Sequence, residues 1–165
     1  MANPFPEIAR RFAPCPAALR PEGLTQAIGD AIPFVDTAGL RVHAYTQQEV
    51  TVQLRAERRV ANHIGTIHAA ALALLAETAS GLVVALNISE ESVPVVRTLN
   101  VDFQRPAPGA VTASARLDAE TRTRLQERPI GRVDVPVALT MGGDTVVEAT
   151  AQWAWLPAAR LDLPA

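Results

Sequence analysis

Residues Ile64–Ile88 read IGTIHAAALALLAETASGLVVALNI, twenty-five residues that are mostly small or apolar and hold one formal charge, the carboxylate of Glu77. Such a carboxylate must be expelled to solvent, paired or used. Left unpaired inside a protein it costs several kcal/mol as the anion, or it stays protonated. A run of about 20 apolar residues can cross a bilayer. This one is interrupted near its middle by Glu77, Thr78, Ser80 and Gly81, with Arg55, Arg58 and Arg59 before it and Glu90 and Glu91 after it, which argues against a membrane span. The spacing predicts instead a helix from about His68 to about Leu86, apolar nearly all round and therefore enclosed by the rest of a domain.

The chain around that helix has 165 residues, enough for one domain with a real core. A hydrophobic fraction of 48% with 19% charged residues is that of a folded globular protein, and a net charge of -2 argues against nucleic acid as the main partner. Every basic residue is Arg, which reads as the codon bias of an Ala- and Arg-rich, bacterial genome. Cys15 alone cannot form an internal disulfide. With three histidines and no HExxH or CxxC spacing, no metal site is expected. MANPFPEIARR has no apolar segment of the signal-peptide kind, so the cytoplasm is the expected location.

Residues 1–21 contain Pro4, Pro6, Pro14, Pro16 and Pro21, which predicts an arm without a long helix lying over the domain. Residues 22–157 are expected to form the single domain and 158–165 a tail. A short helix is predicted over Glu22–Ala31, halted by Pro33. Leu40–Thr46 and Val50–Ala56 read as a hairpin, the second strand alternating Val50, Val52 and Leu54 against polar residues. After the central helix come a long strand over Val93–Gln104, a strand over Val111–Ala119, and a hairpin of Val133–Thr140 and Thr145–Trp155 around Gly142-Gly143. Pro136 calls for an edge position or a bulge. Arg116–Arg132 reads as a solvated outer face and loop. One long apolar helix followed by antiparallel strands packs most economically as an α+β hot-dog fold, a curled sheet wrapped around the helix.

Asn62, His63, Gly65, Thr66 and His68 gather at the helix start, where the unsatisfied N–H groups of Ala69 and Ala70 face outward as donors for an oxyanion. Asn-His before a helix also reads as a turn with a cap. His68 and Glu77 are nine residues apart, about two and a half turns and about 13 Å along the axis, on opposite sides of the helix. They cannot share one site within a single chain. If both function, a two-fold dimer must bring Glu77 of one copy to the helix start of the other.

The segment NHIGTIHAAALALLAETASG resembles the active-site segment of hot-dog fold thioesterases of the phenylacetyl-CoA thioesterase-like type, in which an Asn, a Gly, a His-Gly-Gly and an Asp or Glu follow in this order. With TLNVDFQRPAPG the likeness covers about residues 33–157 and is closest to the uncharacterised YiiD C-terminal-like branch. The resemblance implies an acyl-CoA thioesterase, acting on a CoA or carrier-protein thioester with no cofactor beyond the CoA of the substrate, as a homodimer or a tetramer built from dimers. It implies that Glu77 is the general base or nucleophile, that Asn62 orients the attacking water or the carbonyl, and that the Ala69 N–H, with His68 nearby, polarises the thioester oxygen. His63, Gly65, Thr66, Ala70, Arg97 and Thr98 are the candidate substrate contacts around them. The segment departs from the family pattern twice. Ala69-Ala70 replaces Gly-Gly, and the facing strand has Val95 and Val96 where a hydroxyl is usual, with Ser92 and Thr98 as the nearest stand-ins.

Two other readings compete. His63 and Glu77, fourteen residues apart, have a spacing similar to that of hot-dog dehydratases, although the Gly-Xaa-Phe-Pro pattern of those enzymes is missing. Alternatively the protein is a non-catalytic acyl or small-molecule binder in which Glu77 is a structural partner of Arg97, which falls in register with Val95, Leu99 and Val101 on an apolar strand face. Arg58, Arg59, Arg97 and Arg105 are candidates for the CoA phosphates by position alone.

Overall fold

The structure is a computed structural model that describes residues 3–161. Its elements run α1 (Phe5–Phe12), α2 (Arg20–Ala31), α3 (Pro33–Ala38), β1 (Arg41–Tyr45), β2 (Glu49–Leu54), α4 (Ala69–Ala85), β3 (Ser92–Phe103), β4 (Val111–Arg116), α5 (Ala119–Glu127), β5 (Gly131–Met141) and β6 (Asp144–Pro157), with short 3-10 turns at Arg58–Val60 and Ala158–Arg160. The six strands form one antiparallel sheet in the order β1-β2-β4-β5-β6-β3. Helix α4 packs against β2, β3, β4, β5 and β6, so the sheet wraps it: this is the hot-dog fold. Among the described residues no helix is long and apolar enough to cross a membrane.

Alternation along the strands makes the wrapping possible. Val50, Val52 and Leu54 on β2, Val111, Ala113 and Ala115 on β4, and Val133, Val135, Val137 and Leu139 on β5 point to the helix and are buried, while their neighbours face outward. Several of the inward residues are alanines, which lets the helix backbone come close to the sheet. The helix answers with small residues of its own, Ala76, Ala79, Gly81 and Ala85. From Leu75 to Ala85 every residue of α4 is buried except Glu77, which is only partly covered. Gly81 has a direct packing reason, since a Cβ there would lie 2.6 Å from the Trp153 ring. The indole Nε1–H of Trp153 donates to Ser80 Oγ at 3.0 Å, and that hydroxyl in turn donates to the Ala76 and Glu77 carbonyls, at 2.9 and 3.0 Å.

The expected elements occur, with four differences. Residues Phe5–Phe12 of the arm are helical, because Pro6 falls in the first turn, where no N–H is required; Met1 and Ala2 lie outside the described residues, as do 162–165 of the tail. Pro33 ends α2 and also starts α3. The strand expected over Val111–Ala119 stops at Arg116, and the expected loop contains α5, whose N-cap Asp118 accepts from Thr121 N at 2.7 Å and whose Leu125 is buried. Pro136 is on an interior strand, but the ladder between β4 and β5 ends at Val137, so the proline lies just past it. Its local position is that of an edge.

Replacing Ser80 by Ala strands the buried Trp153 N–H and should cost about 1–3 kcal/mol. In equilibrium denaturation the further change Trp153→Phe should then cost less than it does in the wild type, because the two groups form one hydrogen-bonded unit.

Candidate active site

The loop before α4 is closed on itself. Asn62 Oδ1 accepts from the N–H groups of Ile64 at 3.1 Å and Thr66 at 3.0 Å, while its Nδ2 donates to Thr66 Oγ1 at 2.8 Å. Asn62 N donates to the Thr66 carbonyl at 2.8 Å, and Gly65 takes the positive φ of 80° that the tight turn needs. His68 N then donates to the Val60 carbonyl at 2.8 Å, which fixes where the helix begins. His68 is the N-cap, and its Nδ1 accepts from Ala70 N at 3.0 Å.

That bond decides which donors remain. The Ala70 N–H, expected to face a substrate, is held by the His68 ring. Among the described residues the Ala69 N–H has no partner, and it lies at an exposed helix start. While Nδ1 accepts, the proton of a neutral imidazole sits on Nε2, so His68 presents a second donor outward. His68, Ala69 and Ala70 are all exposed, and the two alanine methyls lie on open surface rather than against the fold. Asn62 keeps its oxygen within the turn. His63 and Gly65 are exposed, and Thr66 is half-buried by its bond to Asn62.

Glu77 lies elsewhere. It forms part of the wall of a cavity of about 750 Å³ together with Thr78, Gly81 and Leu82 of α4, Val93, Pro94 and Val95 of β3, Trp153 of β6, Ile32, and Asn3, Pro4 and Phe5 of the N-terminal segment. The size is that of small-molecule sites, roughly 300–1,000 Å³. Its walls are apolar except at Glu77, Thr78 and Asn3. Burial pushes the Glu77 carboxyl up from the ordinary carboxylate value. No ion pair involves Glu77 among the described residues. Beside it, the buried Thr78 Oγ1 has no hydrogen-bond partner among the described residues.

Two sequence expectations on β3 change. Residue pairing with β6 shifts between Val96 and Thr98, so Arg97 occupies a bulge rather than continuing the register of Val95, Leu99 and Val101. Arg97 and Thr98 are both exposed, and the Glu77–Arg97 pair does not occur within the chain. Val93, Pro94 and Val95 are the β3 residues that line the cavity, Ser92 being buried, so this stretch of the strand lacks the hydroxyl usual in the family that the segment resembles. The structure thus gathers Asn62, Gly65, Thr66, His68 and Ala69 at the helix start and leaves Glu77 about 13 Å along the axis, in a separate cavity. Trp153, Phe5 and Ile32 were not legible as site residues; only the small Gly81 facing a Trp hints at the cavity.

The raised Glu77 carboxyl carries a stability consequence. On raising the pH from acid, the unfolded chain releases the Glu77 proton first, so folding loses stability until the folded-state carboxyl has also ionised. Glu77→Gln does not have this loss. Across a denaturant series at several pH values, its stability relative to wild type should rise from acid to neutral pH; a relative fall would mean that the carboxylate is favourably paired.

A family profile described as a domain of unknown function, DUF4442, matches residues 21–156. No curated protein matches the chain by sequence. Among solved structures, a Pseudomonas aeruginosa protein of unknown function described as a probable thioesterase is 29% identical with a TM-score of 0.73, covering 81% of this chain and 93% of that one. A thioesterase from Haemophilus influenzae shares the fold at 17% identity and a TM-score of 0.70, covering 86% of this chain and 94% of its own. A mutant thioesterase from Pseudomonas aeruginosa does so at 19% and 0.67, covering 81% and 94%. Two of these structural relatives are described as thioesterases and one as a probable thioesterase, and by a sequence match that spans most of its length the chain belongs to the DUF4442 family.

Proposed function

We propose that the protein is an acyl-CoA thioesterase that works as a homodimer, with each site built from Glu77 of one copy and the helix start of the other. The observation that carries this reading is the unpaired Glu77 carboxylate at the wall of an apolar cavity. A buried, raised carboxyl is suited to take a proton from water near neutral pH. The water oxygen attacks the thioester carbonyl, the oxygen of that carbonyl takes negative charge against the Ala69 N–H and His68 Nε2–H, and collapse expels the thiolate. Glu77 acting first as a nucleophile, through a mixed anhydride, uses the same geometry.

The dimer reading is supported by surfaces that one chain leaves bare. On α4 the residues not fully buried include Ala70, Ala73, Leu74 and Glu77, spaced three or four apart along one face that leads from the helix start to the carboxylate. At the sheet edge, β3 carries Val95 and Val96, 36% and 38% exposed, on a strand paired on one side only. A second copy pairing along β3 covers both features. The thioesterase description of the 29% identical Pseudomonas relative supports the reaction class.

A second reading, a non-catalytic acyl binder, draws on one observation: the β3 residues on the wall of the Glu77 cavity, Val93, Pro94 and Val95, have no hydroxyl to hold a water. Thiol release from short, long and aryl acyl-CoAs by wild type and by Glu77→Gln separates the two. We expect turnover to fall about 10²–10⁴-fold in the variant. The acid limb of the wild-type pH–rate profile should lie above the ordinary carboxylate range, as the raised carboxyl requires. Binding without turnover across the panel favours the binder.

A further inference from the structure

We propose that the N-terminal strap Asn3–Phe5 closes the far end of the Glu77 cavity and so sets the length of the acyl chain, selecting medium-length saturated acyl groups. The inference rests on the thioesterase reading of Glu77 and adds its substrate class.

The cavity has a direction. Its α4 wall is the pair of stripes Glu77–Gly81 and Thr78–Leu82, which run toward the C-terminal end of the helix. Strand β3 returns from that end after a short connection, so Val93 lies near the end of α4 and Val95 nearer Glu77. The polar group able to work on a carbonyl is thus at one end, and beyond Glu77 and Thr78 the walls are apolar as far as Asn3. Trp153 forms a flat side because Gly81 leaves room for its ring.

Asn3, Pro4 and Phe5, far away in sequence, line the cavity beyond Leu82, and the segment is held firmly. Asn3 is 3% exposed, its Nδ2 donates to the Ala85 carbonyl at 2.7 Å, its N donates to the Glu90 carbonyl at 2.7 Å, and its Oδ1 accepts from Phe5 N at 3.2 Å. The Tyr45 hydroxyl donates to the Phe5 carbonyl at 3.2 Å, and Arg10 pairs with Glu90 at 2.6 Å. Asn3 satisfies the open carbonyl of α4's last turn, so the helix end itself positions the strap. From Glu77 to Ala85 is eight residues, about 12 Å along the axis. An extended alkyl chain advances about 1.25 Å per carbon–carbon bond, given the standard bond length near 1.5 Å. An acyl group with its carbonyl at Glu77 therefore meets the strap after about ten carbons.

The cavity contains its own reporter in Trp153, whereas Trp155 is buried elsewhere against Gly131. The test measures kcat/KM for acyl-CoAs from butyryl to palmitoyl and, separately, tryptophan emission as the same acyl-CoAs are titrated into Glu77→Gln protein, in which they persist. Both are repeated with Phe5→Ala, which enlarges the cavity, and with Ile32→Phe, which narrows it at another lining residue and serves if the first variant does not fold. We expect a peak near decanoyl. Phe5→Ala should raise the myristoyl-to-decanoyl ratio about tenfold or more, and Ile32→Phe should move the peak toward hexanoyl. Binding that follows this length pattern without wild-type turnover defeats the thioesterase reading and leaves the strap's role standing. Turnover or binding whose length profile is unchanged in both variants overturns the strap's role, as does the lack of any acyl-CoA binding.

Discussion

Helix α4 is apolar on nearly every side, and such a helix is stable in water only when protein surrounds it. The sheet supplies that surround by turning one face of β2, β4, β5 and β6 inward and keeping the facing side chains small where the helix comes closest. The price is that a carboxylate in the middle of the helix is carried inside with it. From Leu75 to Ala85 only Glu77 escapes full burial, and it does so by facing a cavity rather than a partner. The raised carboxyl is a consequence of the same packing.

The two ends of the chemistry are positioned by different means. At the helix start, the Asn62 turn and the Val60 carbonyl fix His68, and the His68 ring takes one of the two available N–H groups, leaving the Ala69 N–H without a partner among the described residues. Two and a half turns later, Glu77 is held by the body of the helix. A rigid helix cannot bring two of its own residues together over about 13 Å. On the proposed reading each chain holds one half of two different sites, and the β3 edge is where a second copy would join them.

Much of this was legible in the sequence, for physical reasons that differ by element. Helix α4 was marked by length, by its apolar character and by His68 at the cap, and the hairpins by alternation and glycine turns. Helix α5 was not, because only Leu125 of its nine residues is buried and no apolar period rises above the charged ones; the Asp118 cap with Thr121 three residues on was the available signal. Prolines as helix breakers hide two helix starts, since Pro6 of the arm and Pro33 after α2 both stand in first turns, where proline is welcome. Glu77 stood out as the lone charge of its stretch. Its neighbours could not, since Phe5, Ile32 and Trp153 reach the cavity through long-range packing that leaves no local pattern, and the bulge that displaces Arg97 depends on the partner strand.

The claim that one site needs two chains can be measured by complementation. Ala69→Pro removes the free N–H at the first helical position, which accepts proline, and the ψ of 142° at His68 suits a residue before proline. Such a chain keeps Glu77, while Glu77→Gln keeps the helix start. Each variant alone should be nearly inactive toward its acyl-CoA. After random subunit exchange, half the dimers are mixed and each holds one intact site, so thiol release should recover to about a quarter of wild type. Mixed dimers demonstrated in solution with no recovered turnover would contradict the composite site.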